Sequence, residues 1–263
     1  MSVSGAHVEF AERLAGIARE QLRPYHRTAI QVQQKADGTP VTEAEQATER
    51  ALREAIRETY PDHGIVGEEG GAERVNAEYV WMLDPIDGTK QFVTGKTGYS
   101  TLIALVHQGQ PVLGVIEVPA LQERWVGTMD RGTQHTDAHG TRFARTRACG
   151  SLDEASFCTT VPTGEDEESA DAFLRLAESV RMAVSGGDGH NYGLLASGFC
   201  DIVLDATMSP YDYAALVPIV AGAGGAISDS NGDPLGDEGE RTVVASGSPA
   251  LHEEVLNVLA GAV

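Results

Sequence analysis

The sequence predicts a mixed α/β protein, and three observations carry that expectation. The chain has 263 residues, 41% of them hydrophobic, enough to bury a full core. Its second half alternates strand-like and helix-like segments, which implies α/β layering. Its centre holds two apolar runs, residues 99–106 and 111–118, around His107-Gln108-Gly109-Gln110, and these read as an antiparallel hairpin.

The elements follow in order. Phe10, Leu14, Ile17 and Leu22 fall on one face of a first helix. Residues 35–40 read as a turn, after which Thr42 is an N-cap and Ala47, Ala51, Leu52, Ala55 and Ile56 form a second helical stripe that ends before Tyr60-Pro61. Residues 64–67 and 79–83 are strands, the latter stopping at Asp84-Pro85, and 124–128 extends the meander. Further on, 155–161 is a strand, 170–180 and 190–200 are helices, 201–204 is a strand, and 211–222 is one helix. Residues 242–245 and 249–259 form a last strand and helix, while the acidic stretches 165–168 and 229–240 read as solvated loops. No internal repeat is present. The chain reads as one catalytic unit over 1–263, with a subdomain change near 132–140 that divides it into about 1–135 and 136–263.

Composition excludes several function classes. The 39 Asp and Glu outnumber the 19 Lys and Arg, for a formal charge of −20. That balance disfavours nucleic acid and anionic membrane as partners, because a phosphate backbone needs a basic footprint. No apolar run reaches the roughly 18 residues of a membrane span; the best candidate, 213–228, is interrupted by Pro218 and glycines. The N-terminus, with Glu9, Glu12 and Arg13, has no apolar signal core. Cys149, Cys158 and Cys200 form no CxxC pair, so a reducing cytoplasm is the expected compartment and buried small hydrophobes the expected role. An acidic protein that handles phosphate must find positive charge locally, and a metal is the natural source.

The chemistry-bearing segment is Trp81-Met-Leu-Asp84-Pro-Ile-Asp87-Gly88-Thr89. A buried strand would deliver two carboxylates at its end, and Gly88-Thr89 would present backbone N–H groups to a phosphate. Turn chemistry alone also accounts for Asp, Pro and Gly there. Gly67-Glu68-Glu69-Gly70-Gly71 adds acids at another strand end. Mg²⁺ takes oxygen ligands, and two ions about 3.5–4 Å apart form the usual clamp for in-line attack on phosphorus. Asp212 is a distant candidate for such a clamp, although an acid in a helix's first turn is ordinary.

Taken together, Lys35, Asp37-Gly-Thr-Pro-Val-Thr42, Gly67-Glu68-Glu69, Asp84-Pro-Ile-Asp87-Gly-Thr89 and Tyr211-Asp212…Gly224-Gly225 resemble the inositol monophosphatase-like superfamily in order and spacing. The resemblance is strongest to its histidinol-phosphate phosphatase branch, on Asp84–Phe92, Thr101–Leu105, Glu123–Gly127, Arg145–Cys149, Gly186-Gly-Asp188, Tyr192–Gly198 and Pro210–Pro218. It implies a layered αβαβα sandwich, commonly dimeric, and a Mg²⁺-dependent phosphomonoesterase. Glu68, Asp84 and the Ile86 carbonyl would hold one Mg²⁺; Asp84, Asp87 and Asp212 would hold a second. Gly88 and Thr89 would cradle the phosphate, and Glu68 and Thr89 would orient the attacking water.

One departure stands out. Glu45 occupies a position where the family usually has Asp. It could assist Thr89 or hold a third ion, and it equally completes a capping box with Thr42 that needs no function. For the alcohol, the resemblance implies L-histidinol phosphate in histidine biosynthesis, with Asp188 and Asp205 as candidate acceptors for its cationic groups. An inositol monophosphatase or broad sugar-phosphate phosphatase is the alternative, and a non-catalytic metal-binding protein is the reading from another class. His190, beside Asp188, is read as structural, since the two-metal scheme needs no histidine.

Overall fold

In the computed structural model, residues 3–34, 38, 40–161 and 167–261 are described. Lys35, Asp37, Glu165 and Asp166 lie outside them.

Helix α1 (Gly5–Leu22) and helix α2 (Glu43–Thr59) are the two expected from apolar spacing, with Thr42 the N-cap of α2. Short strands β1 (Val32–Gln34) and β2 (Pro40–Thr42) pair antiparallel around the predicted turn. Then come β3 (Gly64–Gly67), β4 (Gly71–Glu73), β5 (Tyr79–Asp87), the one-turn helix α3 (Thr89–Val93), β6 (Ser100–His107), β7 (Gln110–Val118), β8 (Glu123–Thr128), β9 (Gly132–Asp137) and β10 (Gly140–Phe143). The second half holds β11 (Ser156–Thr159), α4 (Glu167–Ser179), β12 (Met182–Ser185), α5 (Asp188–Ala196), β13 (Ile202–Met208), α6 (Pro210–Tyr213), α7 (Leu216–Gly222), β14 (Ala226–Asp229), β15 (Arg241–Ser246) and α8 (Pro249–Leu259).

Two sheets organise these elements. The first has eight strands in the order β10-β9-β8-β7-β6-β5-β3-β4, and the second has five in the order β12-β11-β13-β15-β14. One face of the first sheet packs on α1 and α2 around Trp81, Leu83, Ile103 and Leu105. Its other face meets α5, α6 and α7, of which α5 and α7 also back onto the second sheet. The outer face of the second sheet is covered by α4 and α8 around Phe157, Phe173 and Val255. The layers therefore run αβαβα, as the resemblance implies. Strand β6 is buried at all eight positions. Covered on both faces, it reads as a continuous apolar run rather than an alternating one.

Several boundaries differ from expectation for physical reasons. Strand β5 does not stop at Leu83: pairing with β6 continues through Asp84↔Leu102, breaks register, and resumes at Asp87↔Ser100. A bulge thus absorbs Pro85, which cannot donate to the ladder. Residues 132–140, where the sequence places a subdomain change, lie in β9 and its hairpin to β10, so the crossing between sheets falls at 144–155 instead. The single helix expected over 211–222 is two, α6 and α7. Among the described residues no helix is long and apolar enough to cross a membrane.

Candidate active site

The site forms where β3, β5, α2, α5 and α6 converge. Strand β5 ends in its bulge, and the carboxylates of Asp84 and Asp87 come from either side of it. Thr101 Oγ donates to the Pro85 carbonyl at 2.8 Å, which pins the bulge to β6. Asp84 is 2% exposed, and its Oδ1 has no hydrogen-bond partner. Burial drives the carboxyls of Asp84 and Asp87 well above their usual range. The charges of Glu68, Asp87 and Asp212 add to this at Asp84, and those of Asp188 and Asp212 at Asp87. Asp87 Oδ2 accepts from Ser100 Oγ at 3.0 Å and from the Gly189 backbone N–H at the start of α5. A Cβ on Gly189 would lie 2.5 Å from that oxygen, so glycine permits the approach.

Glu68 lies on the turn after β3, its N–H donating to the Leu83 carbonyl at 3.1 Å. A residue that sequence reasoning missed holds this turn. Glu49 of α2, 2% exposed, accepts from the N–H groups of Glu69 (2.7 Å) and Gly70 (2.8 Å) and from Arg53 Nε at 2.7 Å. The i, i+4 spacing of Glu45, Glu49 and Arg53 on one helix face was the available signal. Asp212 arrives on the first turn of α6, its Oδ2 accepting from the Ser209 N–H at 2.8 Å.

Glu45 does both things its sequence context offers. Its Oε2 accepts from the Thr42 N–H while Thr42 Oγ accepts from the Glu45 N–H, a complete capping box. Its Oε1 accepts from the Thr89 hydroxyl. Burial raises the Glu45 carboxyl to about 7 against the opposing hydrogen bonds from Thr89 and Thr42. Thr89 Oγ also lies 3.3 Å from the Ile86 carbonyl, a second acceptor for its proton. Gly88, at φ +90°, takes the left-handed turn that lets α3 begin at Thr89.

Asp188 and Asp205 both line a cavity of about 360 Å³ with Asp87, Gly189 and Asp212. Their situations differ. Asp205 is spent inside the fold: it accepts from Thr160 N–H (2.6 Å), Thr159 Oγ (3.3 Å) and Tyr192 OH (3.1 Å). The Asp188 carboxylate accepts from Gln91 Nε2 and lies against Gly88, where a Cβ would sit 2.8 Å from Oδ2. Burial, with the Asp205 charge, raises its carboxyl to about 6 against the pull of Gln91, Lys90 and Lys96. His190 points away from this cavity. Its Nε2 is 3.6 Å from Glu123, its ring packs near Trp125, and burial lowers it to about 4.

The charges of Glu68, Asp87 and Asp212 all act on Asp84, and carboxylate oxygens suit a hard divalent cation, but among the described residues no three acids are already drawn together as a metal cluster. What favours a cation there is that the buried Asp84 Oδ1 has no protein donor and that the neighbouring acids raise the carboxyls of Asp84 and Asp87. Glu68, Asp84, Asp87, Asp212 and the Ile86 carbonyl are the groups that could hold such ions.

The sequence profile of the inositol monophosphatase family matches residues 3–262. The chain is 41% identical over 255 residues to a protein of Arabidopsis thaliana called bifunctional phosphatase IMPL2, covering 94% of this chain and 72% of that one. It is 35% identical over 233 residues to the histidinol-phosphatase of Mycobacterium tuberculosis, covering 88% of each. Its fold superimposes on that of an inositol monophosphatase from Zymomonas mobilis with a TM-score of 0.89 at 40% identity, over 99% of this chain and 100% of that one. With its fold and nearly its whole length matching, this chain is a phosphatase of the inositol monophosphatase family.

Proposed function

We propose that this phosphatase hydrolyses L-histidinol phosphate with two Mg²⁺, held by Glu68, Asp84 and the Ile86 carbonyl and by Asp84, Asp87 and Asp212. The observation that carries the substrate is Asp188, a carboxylate held by Gln91 in the cavity beside Asp87. Histidinol phosphate is an alcohol ester bearing an amine and an imidazole, and a half-buried carboxylate next to the reacting centre suits such a cation. The histidinol-phosphatases among the relatives support the same reading.

Bound divalent cations would supply charge against the phosphate dianion and acidify a water. The chain's residues do the rest. With Glu45 ionised, the Thr89 hydroxyl donates to it and keeps its lone pairs for a water proton. Glu68 lies on the same side to accept another. Both Glu45 oxygens are engaged, which favours orientation of Thr89 over a third ion. The Gly88-Thr89 turn presents backbone N–H groups to the phosphoryl oxygens.

The test is phosphate release from histidinol phosphate, inositol 1-phosphate and glycerol 2-phosphate, each with and without Mg²⁺. Histidinol phosphate should turn over best, and Asp188→Asn should raise its KM about tenfold while sparing glycerol 2-phosphate. A preference for inositol 1-phosphate, the reading favoured by the likeness to the Zymomonas enzyme, would overturn the substrate assignment. A homodimer in the cytoplasm is proposed with it, and light scattering checks the subunit count.

A further inference from the structure

The cavity presents a phosphate dianion with an electrostatic problem. Among the described residues, the titratable side chains lining it are all acidic: Asp87, Asp188, Asp205 and Asp212. The whole chain carries −20. Ions bound by the carboxylates act at contact, but an approaching dianion meets the acidic surface first.

The lysines are distributed in a way that bears on this. The chain has only three, Lys35, Lys90 and Lys96. Lys90 and Lys96 flank the wall of the site. Lys90 follows Thr89 on α3, and Lys96 closes the turn after it, its N–H donating to the Gln91 carbonyl at 2.9 Å. The same segment is laid against α5: Gln91 donates to Asp188, and a Cβ on Gly98 would lie 3.8 Å from the Gly187 Cα. Both lysines are exposed, and neither forms an ion pair among the described residues. Their charges reach the Asp188 carboxyl. By contrast, arginines such as the buried Arg53, the half-buried Arg124 and the exposed Arg147 are consumed in pairs with Glu49, Glu117 and Asp201.

We infer that Lys90 and Lys96 form a cationic rim that gives the mouth of the site a local positive potential and draws in the phosphate dianion of the substrate. The inference rests on the phosphatase reading for its substrate. Free charges at a cleft mouth, with low-dielectric walls behind them, focus a field more effectively than paired ones. Lysine suits the task as a mobile, hydrated point charge that need not hold a fixed geometry. Because the action is at a distance, salt must screen it: the Debye length falls from about 30 Å at 0.01 M to about 3 Å at 1 M.

Two measurements test it, with Lys90→Gln/Lys96→Gln beside the wild type and Arg57→Gln as a charge-matched change at the far end of α2. The first is kcat/KM for phosphate release as a function of KCl. The double variant should lose about three- to tenfold at low ionic strength, mainly in KM, and the gap should close by about 0.5 M. Arg57→Gln should show no such gap. A loss that persists at all salt concentrations would mean a fixed contact and overturn the steering role, as would no loss at all. The second measurement needs no turnover: broadening of the backbone amide signals of residues 94–98 by anionic and cationic nitroxides. The anionic probe should be enriched there in the wild type and not in the double variant. Equal broadening by the two probes would remove the rim. Enrichment in a protein that releases no phosphate from any ester would uphold the rim and refute the phosphatase reading instead.

Discussion

Replacing Glu49 with Ala should unfold the support under Glu68 without touching any candidate ligand. The side chain is 2% exposed and accepts three hydrogen bonds, from Glu69 N–H, Gly70 N–H and Arg53 Nε. Its removal leaves the Arg53 guanidinium, 7% exposed, with the Gly71 carbonyl and a 3.4 Å contact to Glu73. Breaking a buried ion pair from one side costs about 3–5 kcal/mol. The two amides lose a charged acceptor, worth about 1.5–3 kcal/mol each in isolation, but these terms are not additive and water can reach the half-buried turn. A net loss of about 3–5 kcal/mol lowers Tm by about 6–20 °C, taking about 2–4 °C per kcal/mol for a chain this long. Glu49→Gln keeps the shape and one acceptor and should lose about 1–2 kcal/mol. Removing both partners in Glu49→Ala/Arg53→Met should recover part of the loss, because the uncompensated charge is gone. Urea unfolding of the four proteins measures this, and phosphate release at saturating Mg²⁺ should fall about 10- to 100-fold as the turn bearing Glu68 loosens. A Glu49→Ala midpoint equivalent to within about 0.5 kcal/mol of wild type, the range of a neutral surface change, would refute the assignment.

Asp87→Asn should lower kcat by about two orders of magnitude or more, as for a lost ligand, while thermal unfolding shows the fold intact; unchanged phosphate release would remove Asp87 from the ligand set. Glu45 should impose its own pH signature on the metal-free protein. Its carboxyl is raised to about 7 from 4.5, so the folded state holds that proton more tightly than the unfolded chain. The stability this lends is complete below about 4.5 and is lost as pH rises through about 7; the limit is about 3–4 kcal/mol, of which about 2–3 kcal/mol falls between pH 5 and pH 8. Urea midpoints at pH 5 and pH 8 should therefore differ between wild type and Glu45→Gln by that amount, and parallel pH dependences would refute it.

What the sequence made legible was local. The capping box of Thr42 and Glu45 is a four-residue pattern, and the structure has it. Each acidic motif is likewise contiguous, so Glu68, Asp84, Asp87 and Asp212 could be named singly. The sequence ends β5 at Asp84-Pro85 because that dipeptide carries strong breaker chemistry, and only pairing with Leu102 and Ser100, remote in sequence, overrides it. Strands β12 and β14 leave little signal in the sequence because they are short strands at the sheet's two edges, the first exposed at all four positions and the second ending in Asp229. That acid accepts from Asn231 and Asp233 N–H, which makes the start of the supposed loop an ordered turn. Helix α4 likewise begins at Glu167, inside the other acidic stretch. Glu49 and Gln91 escaped notice for a different reason. Each acts on a partner, Gly70 or Asp188, whose proximity exists only after the sheets and helices have assembled.

The buried acids divide by what satisfies them, and the division explains why this site asks for a cation when other buried acids do not. Glu117 is fully buried between Arg19 and Arg124. Asp201 takes Arg147, the Ser156 N–H and the Ser156 hydroxyl. Glu49 has Arg53 and two amides, and Asp205 has an amide and two hydroxyls. In each case the chain supplies its own donors, and folding alone satisfies the charge. Asp84 is as buried as any of them, yet one of its oxygens has no donor and its charged neighbours are further acids. A carboxylate so placed destabilises the fold unless it binds a proton or a cation. With the charges of Glu68, Asp87 and Asp212 added to its own, protons or divalent ions would relieve it, and only the ions would also bring positive charge to a phosphate. The unsatisfied, buried Asp84 is therefore the feature on which the proposed metal site, and its work on a dianion, rests.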